Sequence, residues 1–312
     1  EVSGYDRTES ELTRKLVEEG IAVHYTDSPE LIPGDIAGTL VIYTPAIPET
    51  LGELQVAKQK GYKVIKRSRA LGEIASGQSC LAVAGTHGKT TTTSMITQIL
   101  LEAEKDPTVS VGGVLKSIGG NIRIGASGVF VAEACEYCNS FLSFYPTLSV
   151  VLNVEADHLD FFRDIDDIRH SFREFIMRLP QDERGFLVIN GDIHHVEYFL
   201  DDLKCGFVTF GKSADYDYAA KDITYDDKAC ASYTLLKKGE PCCHVQLSVP
   251  GQHNVYNSLA AIAACERLGI APEEAAKALV YYTGTDRRFQ VRGEVDGWTV
   301  IDDYAHHPQE IT

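Results

Sequence analysis

A glycine-rich turn between an apolar run and a helical pattern is the strongest chemical signal in this sequence. The turn follows Leu81–Ala84 and consists of Gly85, Thr86, His87, Gly88, Lys89, Thr90 and Thr91. Backbone N–H groups at such a turn, with the dipole of the following helix, bind phosphate oxygens. We expect Lys89 to contact the terminal phosphates of a nucleotide and Thr90 to hold Mg²⁺. The pattern departs from G-x-x-x-x-G-K-[ST], because valine stands at position 83. The alternative is a glycine turn capped by threonines.

Two further apolar runs end in groups that bind metal ions. Val129–Glu133 ends in a carboxylate, and the carboxyl ends of parallel strands face the ligand crevice. Glu133 is therefore the predicted Mg²⁺ ligand, with Glu136 as a weaker second candidate. The run Leu148–Asn153 leads into a polar cluster, Glu155, Asp157, His158 and Asp160. His158 is a candidate for a second metal site, and a turn or helix-cap role for the aspartates is the alternative.

The elements that must position these groups alternate along the chain, which predicts a doubly wound α/β fold with a parallel sheet. The predicted strands are Leu40–Tyr43, Leu81–Ala84, Val129–Glu133, Leu148–Asn153 and Phe186–Asn190. The predicted helices are Ser10–Glu19, Thr90–Leu101, Asp166–Leu179 and Asn254–Leu268. Between residues 203 and 250, turn residues separate further apolar runs, and this pattern favours an antiparallel extension at the sheet edge. Those runs are Phe207–Phe210, Tyr233–Leu236 and Val245–Val249.

Length and composition limit the classes of function. A chain of 312 residues suggests about two domains, with boundaries near Leu71–Ser79 and near Tyr282–Asp286. The hydrophobic content of 44% excludes intrinsic disorder, and the net charge of −16 disfavours nucleic acids and anionic membranes as partners. No apolar run approaches the roughly 20 residues of a membrane helix, and no signal peptide is visible. The eight cysteines are scattered, as expected for free thiols in a reducing cytosol.

Six ordered sequence blocks resemble the Mur ligase superfamily, the ATP-dependent amide-forming ligases of peptidoglycan precursor synthesis. The blocks are Ala84–Thr93, Glu133–Leu142, Asn153–Asp160, Gly251–Asn257, Arg287–Phe289 and Asp302–Pro308. The resemblance implies a partial UDP-substrate-binding domain over 1–77, a central ATP-binding domain over 78–284 and the start of a C-terminal ligase domain over 285–312. It also implies that the chain is truncated at both ends.

The resemblance assigns roles to single residues. It implies catalytic roles for Lys89, Glu133, His158 and Arg288, with Thr90, Glu133 and His158 as the metal ligands. Asn254 and Asn257 match contacts to the nucleotide base, although either could instead cap the helix. Arg288 matches an arginine that reaches the ATP phosphates, and Asp303 matches an acid on the nucleotide side. The remaining implied positions are Tyr43–Ile47 near the uridine diphosphate, Cys135 as a neutral wall residue, and His306 and His307 as marks of the alanine-adding branch.

The implied reaction is amide formation through an acyl phosphate. ATP and Mg²⁺ are the implied cofactors, UDP-N-acetylmuramate and L-alanine the implied substrates, and the cytoplasm the implied location. Neither nucleic acid nor membrane insertion is expected, and a homo-oligomer is left open. The alternatives are a recycling ligase that adds a murein peptide, a nucleotide-binding fragment without activity, and a P-loop kinase. The kinase alternative gives no role to Asn254, Asn257 or the paired histidines.

Overall fold

The first 70 residues form a small α/β unit of their own in the computed structural model, which describes residues 1–305. Its elements are β1 (Ser3–Tyr5), α1 (Glu11–Glu18), β2 (Ala22–His24), β3 (Leu40–Tyr43), α2 (Gly52–Lys60) and β4 (Lys63–Lys66). β1 pairs with β2 and β3 pairs with β4, in both cases in parallel. Ser10 caps α1, since its hydroxyl accepts a hydrogen bond from the Thr13 N–H at 3.2 Å.

The second unit begins at Leu71 and contains the glycine-rich turn. The helix α3 (Arg67–Ala75) leads into it. Its strands are β5 (Ser79–Ala84), β6 (Thr108–Leu115), β7 (Gly120–Arg123), β8 (Val129–Glu133), β9 (Leu148–Val151), β10 (Phe186–Asn190), β11 (Gly206–Gly211), β12 (Tyr218–Tyr225), β13 (Cys230–Lys237), β14 (Glu240–Pro250), β15 (Gln290–Val295) and β16 (Trp298–Asp302). Its other helices are α4 (Lys89–Glu102), α5 (Ile165–Ile176), α6 (Glu197–Leu200), α7 (His253–Arg267) and α8 (Pro272–Leu279).

Within the described residues, ten strands form one mixed sheet in the order β14-β13-β12-β11-β10-β9-β5-β8-β6-β7. The central strand β5 lies between β8 and β9 and runs parallel to both. Val83 of β5 is in register with Glu133 of β8 and with Val150 of β9. The three strands therefore end at one edge, where the glycine-rich turn, Glu133 and the polar segment after β9 come together. The predicted doubly wound α/β class is confirmed.

The predicted antiparallel extension is correct for only part of residues 203–250. β12, β13 and β14 pair antiparallel. The prediction was wrong for Phe207–Phe210, because β11 runs parallel to both β10 and β12. The connection between β10 and β11 contains α6 and returns the chain to the opposite edge of the sheet, so β11 runs in the same direction as β10. Apolar composition alone does not reveal such a crossover. The hairpin of β6 and β7 at the opposite edge was not predicted.

Apolar side chains cover both faces of the large sheet. One face packs against α4, α7 and α8, and the other packs against α5. On the α5 side, Phe141 stacks on Phe175 with ring centroids 4.9 Å apart and meets Phe172 edge-on at 5.2 Å. All three phenylalanines are fully buried. This packing keeps the segment after β8 firmly on the sheet. Of the helices in residues 1–305, none is both long and apolar enough to cross a membrane.

We expect Phe172→Ala to lower the free energy of unfolding of the larger unit by about 3–5 kcal/mol, because it leaves a cavity in a close-packed aromatic cluster. Urea denaturation followed by circular dichroism measures this change. Phe207→Ala is the matched control, since Phe207 is 44% exposed, and its effect should be well under half as large. Equal losses for the two variants would contradict the assigned core.

Candidate phosphate and cation site

The turn after β5 has a backbone shape that requires glycine at two positions. Gly85 has φ +151° and Gly88 has φ +82°, both of which disfavour residues with a side chain. A Cβ atom on Gly88 would lie 2.6 Å from Asn257 Oδ1, and one on Gly85 would lie 2.9 Å from Leu152 Cβ. Gly88 directly precedes α4, so the turn delivers the chain into the helix N-terminus. The predicted strand–turn–helix arrangement is therefore present.

Asn153 holds this turn from the neighbouring strand. Its side-chain Oδ1 accepts from the His87 N–H at 2.7 Å, and its Nδ2 donates to the His87 carbonyl at 3.0 Å. Its backbone carbonyl accepts from the Thr86 N–H at 3.3 Å. The Thr86 hydroxyl in turn accepts from the Glu155 N–H at 3.0 Å. One amide thus binds both polar groups at residue 87, which fixes the shape of the turn before any ligand arrives.

The Lys89 side chain folds back over the turn and is largely buried. Its Nζ donates to the Gly85 carbonyl at 2.6 Å and to the Thr86 carbonyl at 3.0 Å. It also lies 2.9 and 3.1 Å from the two carboxylate oxygens of Glu136, a residue only 2% exposed. Burial, the largest single effect, lowers the pKa of Lys89, but the charge and hydrogen bond of Glu136 together with the neighbouring Cys135 and Glu133 outweigh it, and the pKa lies above its ordinary value. The lysine is therefore a permanent cation at the start of α4.

Thr90 and Glu133 form a pair of oxygen donors beside the lysine. The Thr90 hydroxyl donates to Glu133 Oε1 at 3.1 Å, and the Gly112 N–H donates to Glu133 Oε2 at 2.7 Å. Adjacent ligands of an octahedral Mg²⁺ lie about 2.9 Å apart, since each Mg–O bond is about 2.05 Å. The two oxygens already have nearly this spacing. Thr90 and Glu133 therefore fit the magnesium site that the sequence predicted.

His158 belongs to a second group of ligand atoms. Its Nε2 lies 3.6 Å from Glu136 Oε1 and 3.9 Å from Asp157 Oδ2. One ligand atom from each of these three residues lies within 4.8 Å of the others. His158 has φ +51°, and its carbonyl accepts from two successive backbone N–H groups at 2.9 Å, those of Phe161 and Phe162. The sequence placed His158 near the metal and ranked Glu136 second. The structure joins these two and adds Asp157.

The two predicted base-contacting asparagines lie at the start of α7, against the turn. Asn254 Nδ2 donates to the Pro250 carbonyl at 2.7 Å, and Asn257 Nδ2 donates to Asn254 Oδ1 at 3.0 Å. Both side chains are buried, and Asn257 Oδ1 faces Gly88. Gln252, not an asparagine, stands at the cap position of α7. The alternative cap role thus has no support from these contacts, and contact with a nucleotide base stays a prediction.

Arg288 and Asp303 lie on the segment that follows α8. The start of this segment is fastened to α4, because Thr285 Oγ1 donates to Ser94 Oγ at 3.0 Å. The Arg288 guanidinium lies over the Tyr304 ring, 5.7 Å from its centroid. Asp303 accepts from the Phe289 and Ala305 N–H groups at 3.1 and 2.8 Å. Their roles toward a nucleotide stay predictions, and His306 and His307 lie outside the described residues.

Cys135 is a thiol beside the lysine. Cys135 is exposed as a residue, but desolvation of its sulfur by the surrounding atoms raises the pKa of the thiol, the carboxylate of Glu136 raises it further, and Lys89 opposes both effects. The group is therefore a neutral thiol at pH 7, and its role as a neutral wall residue stays a prediction.

Two residues of this site were missed at the level of sequence. Asn153 was noted only as a polar strand exit, and Gly112 was not considered. The pair Gly112-Gly113 inside an apolar run was the available signal, because adjacent glycines in a strand indicate close approach by another group. A Cβ atom on Gly112 would lie 2.7 Å from Glu133 Oε2.

Comparison with known protein families gives two matches along this chain. Residues 83–265 match the Mur ligase middle domain, and residues 1–79 match the model described as Mur ligase family, catalytic domain.

Individual ligases are also similar to this chain in sequence or in structure. UDP-N-acetylmuramate–L-alanine ligase of Agathobacter rectalis is 51% identical over 311 residues, covering 99% of this chain and 67% of that protein. The crystal structure of UDP-N-acetylmuramate-alanine ligase from Thermotoga maritima matches with a TM-score of 0.84 at 30% identity, covering 99% of this chain and 70% of that one. The crystal structure of a UDP-N-acetylmuramate:L-alanyl-gamma-D-glutamyl-meso-diaminopimelate ligase from Neisseria meningitides matches with a TM-score of 0.82 at 26% sequence identity, covering 92% of each chain.

The raised pKa of Cys135 leads to a pH-dependence prediction. Alkylation by iodoacetamide requires the thiolate, so the rate at Cys135 should be slower at pH 7.5 than for free cysteine and should still rise above pH 9. Peptide mapping by mass spectrometry after timed exposure measures this rate. Free cysteine in the same tube is the control. A rate at Cys135 that levels off below pH 8.5 would show that the thiol is more acidic than its surroundings indicate.

Proposed function

This chain belongs to the Mur ligase family, and on that premise we propose that it is the ATP-dependent ligase that joins L-alanine to UDP-N-acetylmuramate. The observation that carries the proposal is the arrangement at the end of β5. A buried lysine starts the helix after a glycine turn, and a hydroxyl–carboxylate pair with the spacing of Mg²⁺ ligands lies beside it. The relatives that share 40–52% identity and carry this activity in their names support the choice of alanine.

The proposed reaction has two steps. The lactyl carboxylate of UDP-N-acetylmuramate attacks the γ-phosphorus of ATP, which forms an acyl phosphate and releases ADP. The neutral amino group of L-alanine then attacks the acyl carbon, its nitrogen gives up a proton to water, an amide bond forms, and inorganic phosphate leaves with the electron pair of the broken C–O bond. Mg²⁺, when bound, neutralises the phosphate oxygens and orients them.

The residues of the chain act by positioning and by charge. Backbone N–H groups of the turn and the N-terminus of α4 bind the phosphates. Lys89 stabilises the negative charge that builds on the transferred phosphoryl group. Thr90 and Glu133 hold the cation, and Asn153 keeps the turn in its binding shape. We assign Arg288 to the phosphates and Asn254, Asn257 and Asp303 to the nucleoside side. No side-chain nucleophile is needed.

The domain roles follow from the same proposal. Residues 1–77 bind the uridine nucleotide, residues 78–284 bind ATP, and residues 285–312 begin a domain that binds the amino acid. In the first of these ranges, Tyr43 is the last residue of β3 and residues 44–47 follow it. The carboxyl end of a parallel strand is where ligands bind in α/β sheets.

The choice of amino acid is tested by comparing two candidate substrates, given separately. With ATP, Mg²⁺ and UDP-N-acetylmuramate present, we expect phosphate release that depends on L-alanine and not on the tripeptide L-alanyl-γ-D-glutamyl-meso-diaminopimelate. A coupled phosphate assay measures it, and omission of UDP-N-acetylmuramate is the control. Release with the tripeptide alone would identify the recycling activity instead. Binding of ATP without release under any of these conditions would indicate a nucleotide-binding module.

Removal of the lysine tests the phosphate site. Lys89→Ala should weaken binding of a non-hydrolysable ATP analogue with Mg²⁺ by more than about tenfold, or 1.4 kcal/mol, because the main cation of the turn is lost. Isothermal titration calorimetry measures the affinity. Lys105→Ala is the control, since Lys105 is an exposed lysine just beyond α4. Equal affinities for wild type and Lys89→Ala would refute the role given to this residue.

A further inference from the structure

Thr285 is the one buried residue in the described part of the chain after Tyr282. It lies between α8 and β15 and is 1% exposed, whereas every other residue of 283–305 is half-buried or exposed. Its hydroxyl donates to Ser94 Oγ of α4 at 3.0 Å. The Tyr282 hydroxyl lies 3.0 Å from the same Thr285 oxygen and is the donor there, because the threonine proton is already in use. Thr285 is therefore the middle member of a buried chain of three hydroxyls.

The backbone and the methyl group of Thr285 are held as well. Its backbone forms an isolated antiparallel bridge with Leu115, the last residue of β6. Its methyl group lies beside Gly113, where a Cβ atom would come within 2.8 Å of Thr285 Cγ2 and 3.3 Å of Thr90 Cγ2. The glycine leaves this space open, so β6 accommodates Thr285 close to the threonine that we assign to the cation.

Arg288 follows this anchor after a single turn. The Arg288 N–H donates to the Thr285 carbonyl at 3.1 Å, which closes a turn over residues 285–288. Inside the turn, the Asp286 N–H donates to the Val114 carbonyl of β6, also at 3.1 Å. The strands that follow, β15 and β16, are exposed at nearly every residue. The contacts of Thr285 and of its turn, rather than burial of the hairpin, therefore set where the backbone of Arg288 lies.

We propose that Thr285 is a positioning residue, which holds Arg288 at a fixed place relative to the phosphate turn by fastening its segment to α4. Ser94 lies four residues after Thr90 on that helix, so the anchor and the cation-binding hydroxyl lie on one face. An arginine whose backbone is already in place loses less freedom when its guanidinium binds a phosphate. The inference rests on the proposed function, because that function assigns Arg288 to the ATP phosphates. Thr285 itself is buried and acts through Arg288.

Thr285→Val tests the proposal, because valine keeps the size of the side chain and lacks the hydroxyl. Affinity for a non-hydrolysable ATP analogue with Mg²⁺ is measured by calorimetry for Thr285→Val, for Arg288→Ala and for the double variant. Thr285→Val should weaken binding about fivefold or more, and Arg288→Ala at least as much. The double variant should bind no more weakly than Arg288→Ala, since the residue through which Thr285 acts is then absent.

Two further variants separate positioning from a general loss of structure. Thr285→Ser keeps the hydroxyl and should retain most of the affinity that Thr285→Val loses. Thr283→Val makes the same substitution at an exposed threonine two residues earlier, and it should bind the analogue as wild type does. If Thr285→Val does not fold, Ser94→Ala removes the other end of the hydrogen bond and should show the same pattern with Arg288→Ala.

Hydrogen exchange of the ligand-free chain measures the anchor directly. The Asp286 and Arg288 N–H groups should exchange at least about fivefold faster in Thr285→Val than in wild type, because the turn that contains them opens more often. Mass spectrometry of peptides that cover residues 284–290 gives the rates, and Thr283→Val is again the control.

The possible results separate this proposal from the proposed function. Unchanged affinity or unchanged exchange in Thr285→Val overturns the role of Thr285. A loss that recurs in full on top of Arg288→Ala overturns it too, as does a Thr285→Ser variant that binds as weakly as Thr285→Val. An Arg288→Ala variant with wild-type affinity overturns the roles of both residues. A wild-type chain that binds no analogue overturns the proposed function instead, and the exchange rates still decide whether Thr285 holds its segment.

Discussion

A buried ammonium group at the start of a helix sets the conditions for everything around it. Lys89 lies where the dipole of α4 is positive, and it is stable there because two carbonyls of its own turn and the carboxylate of Glu136 surround it. Those carbonyls point at the lysine only if the turn bends sharply, which explains the positive φ angles of Gly85 and Gly88. The charge and the backbone shape are therefore one arrangement.

The order of the central strands delivers the remaining groups to that lysine. β8 and β9 flank β5, although they begin at residues 129 and 148, which are 44 and 63 residues after Gly85, the first residue of the turn. Their carboxyl ends supply Glu133 on one side and Asn153 on the other. The carboxylate of Glu133 and the neutral amide of Asn153 are thus supplied by separate strands. The aromatic packing of Phe141 beneath the segment after β8 gives this arrangement a rigid base.

Apolar runs in the sequence predicted the central strands closely, and β3, β8 and β10 begin and end at the predicted residues. For β8 and β10 the reason is that strands buried on both faces are continuously apolar, whereas β3, in the smaller unit, is apolar but half exposed. The direction of β11 and the hairpin of β6 and β7 depend on contacts between distant segments, which no local pattern contains. The same limit applies at the site. Thr90 and Glu133 followed from motif and strand end, whereas the pairing of Lys89 with Glu136 depends on side-chain conformation.

The two hydrogen bonds from the Asn153 side chain to the backbone of residue 87 constrain the residue type at 153 and not at 87. The asparagine amide binds the N–H and the carbonyl of that residue and leaves its imidazole out of the contact. The two hydrogen bonds from Asn153 consequently do not restrict the type of side chain at 87, and the imidazole has a contact of its own, since its Nε2 lies 3.7 Å from Glu155 Oε2. Position 153 lacks this freedom, since an aspartate there keeps the acceptor but loses the donor.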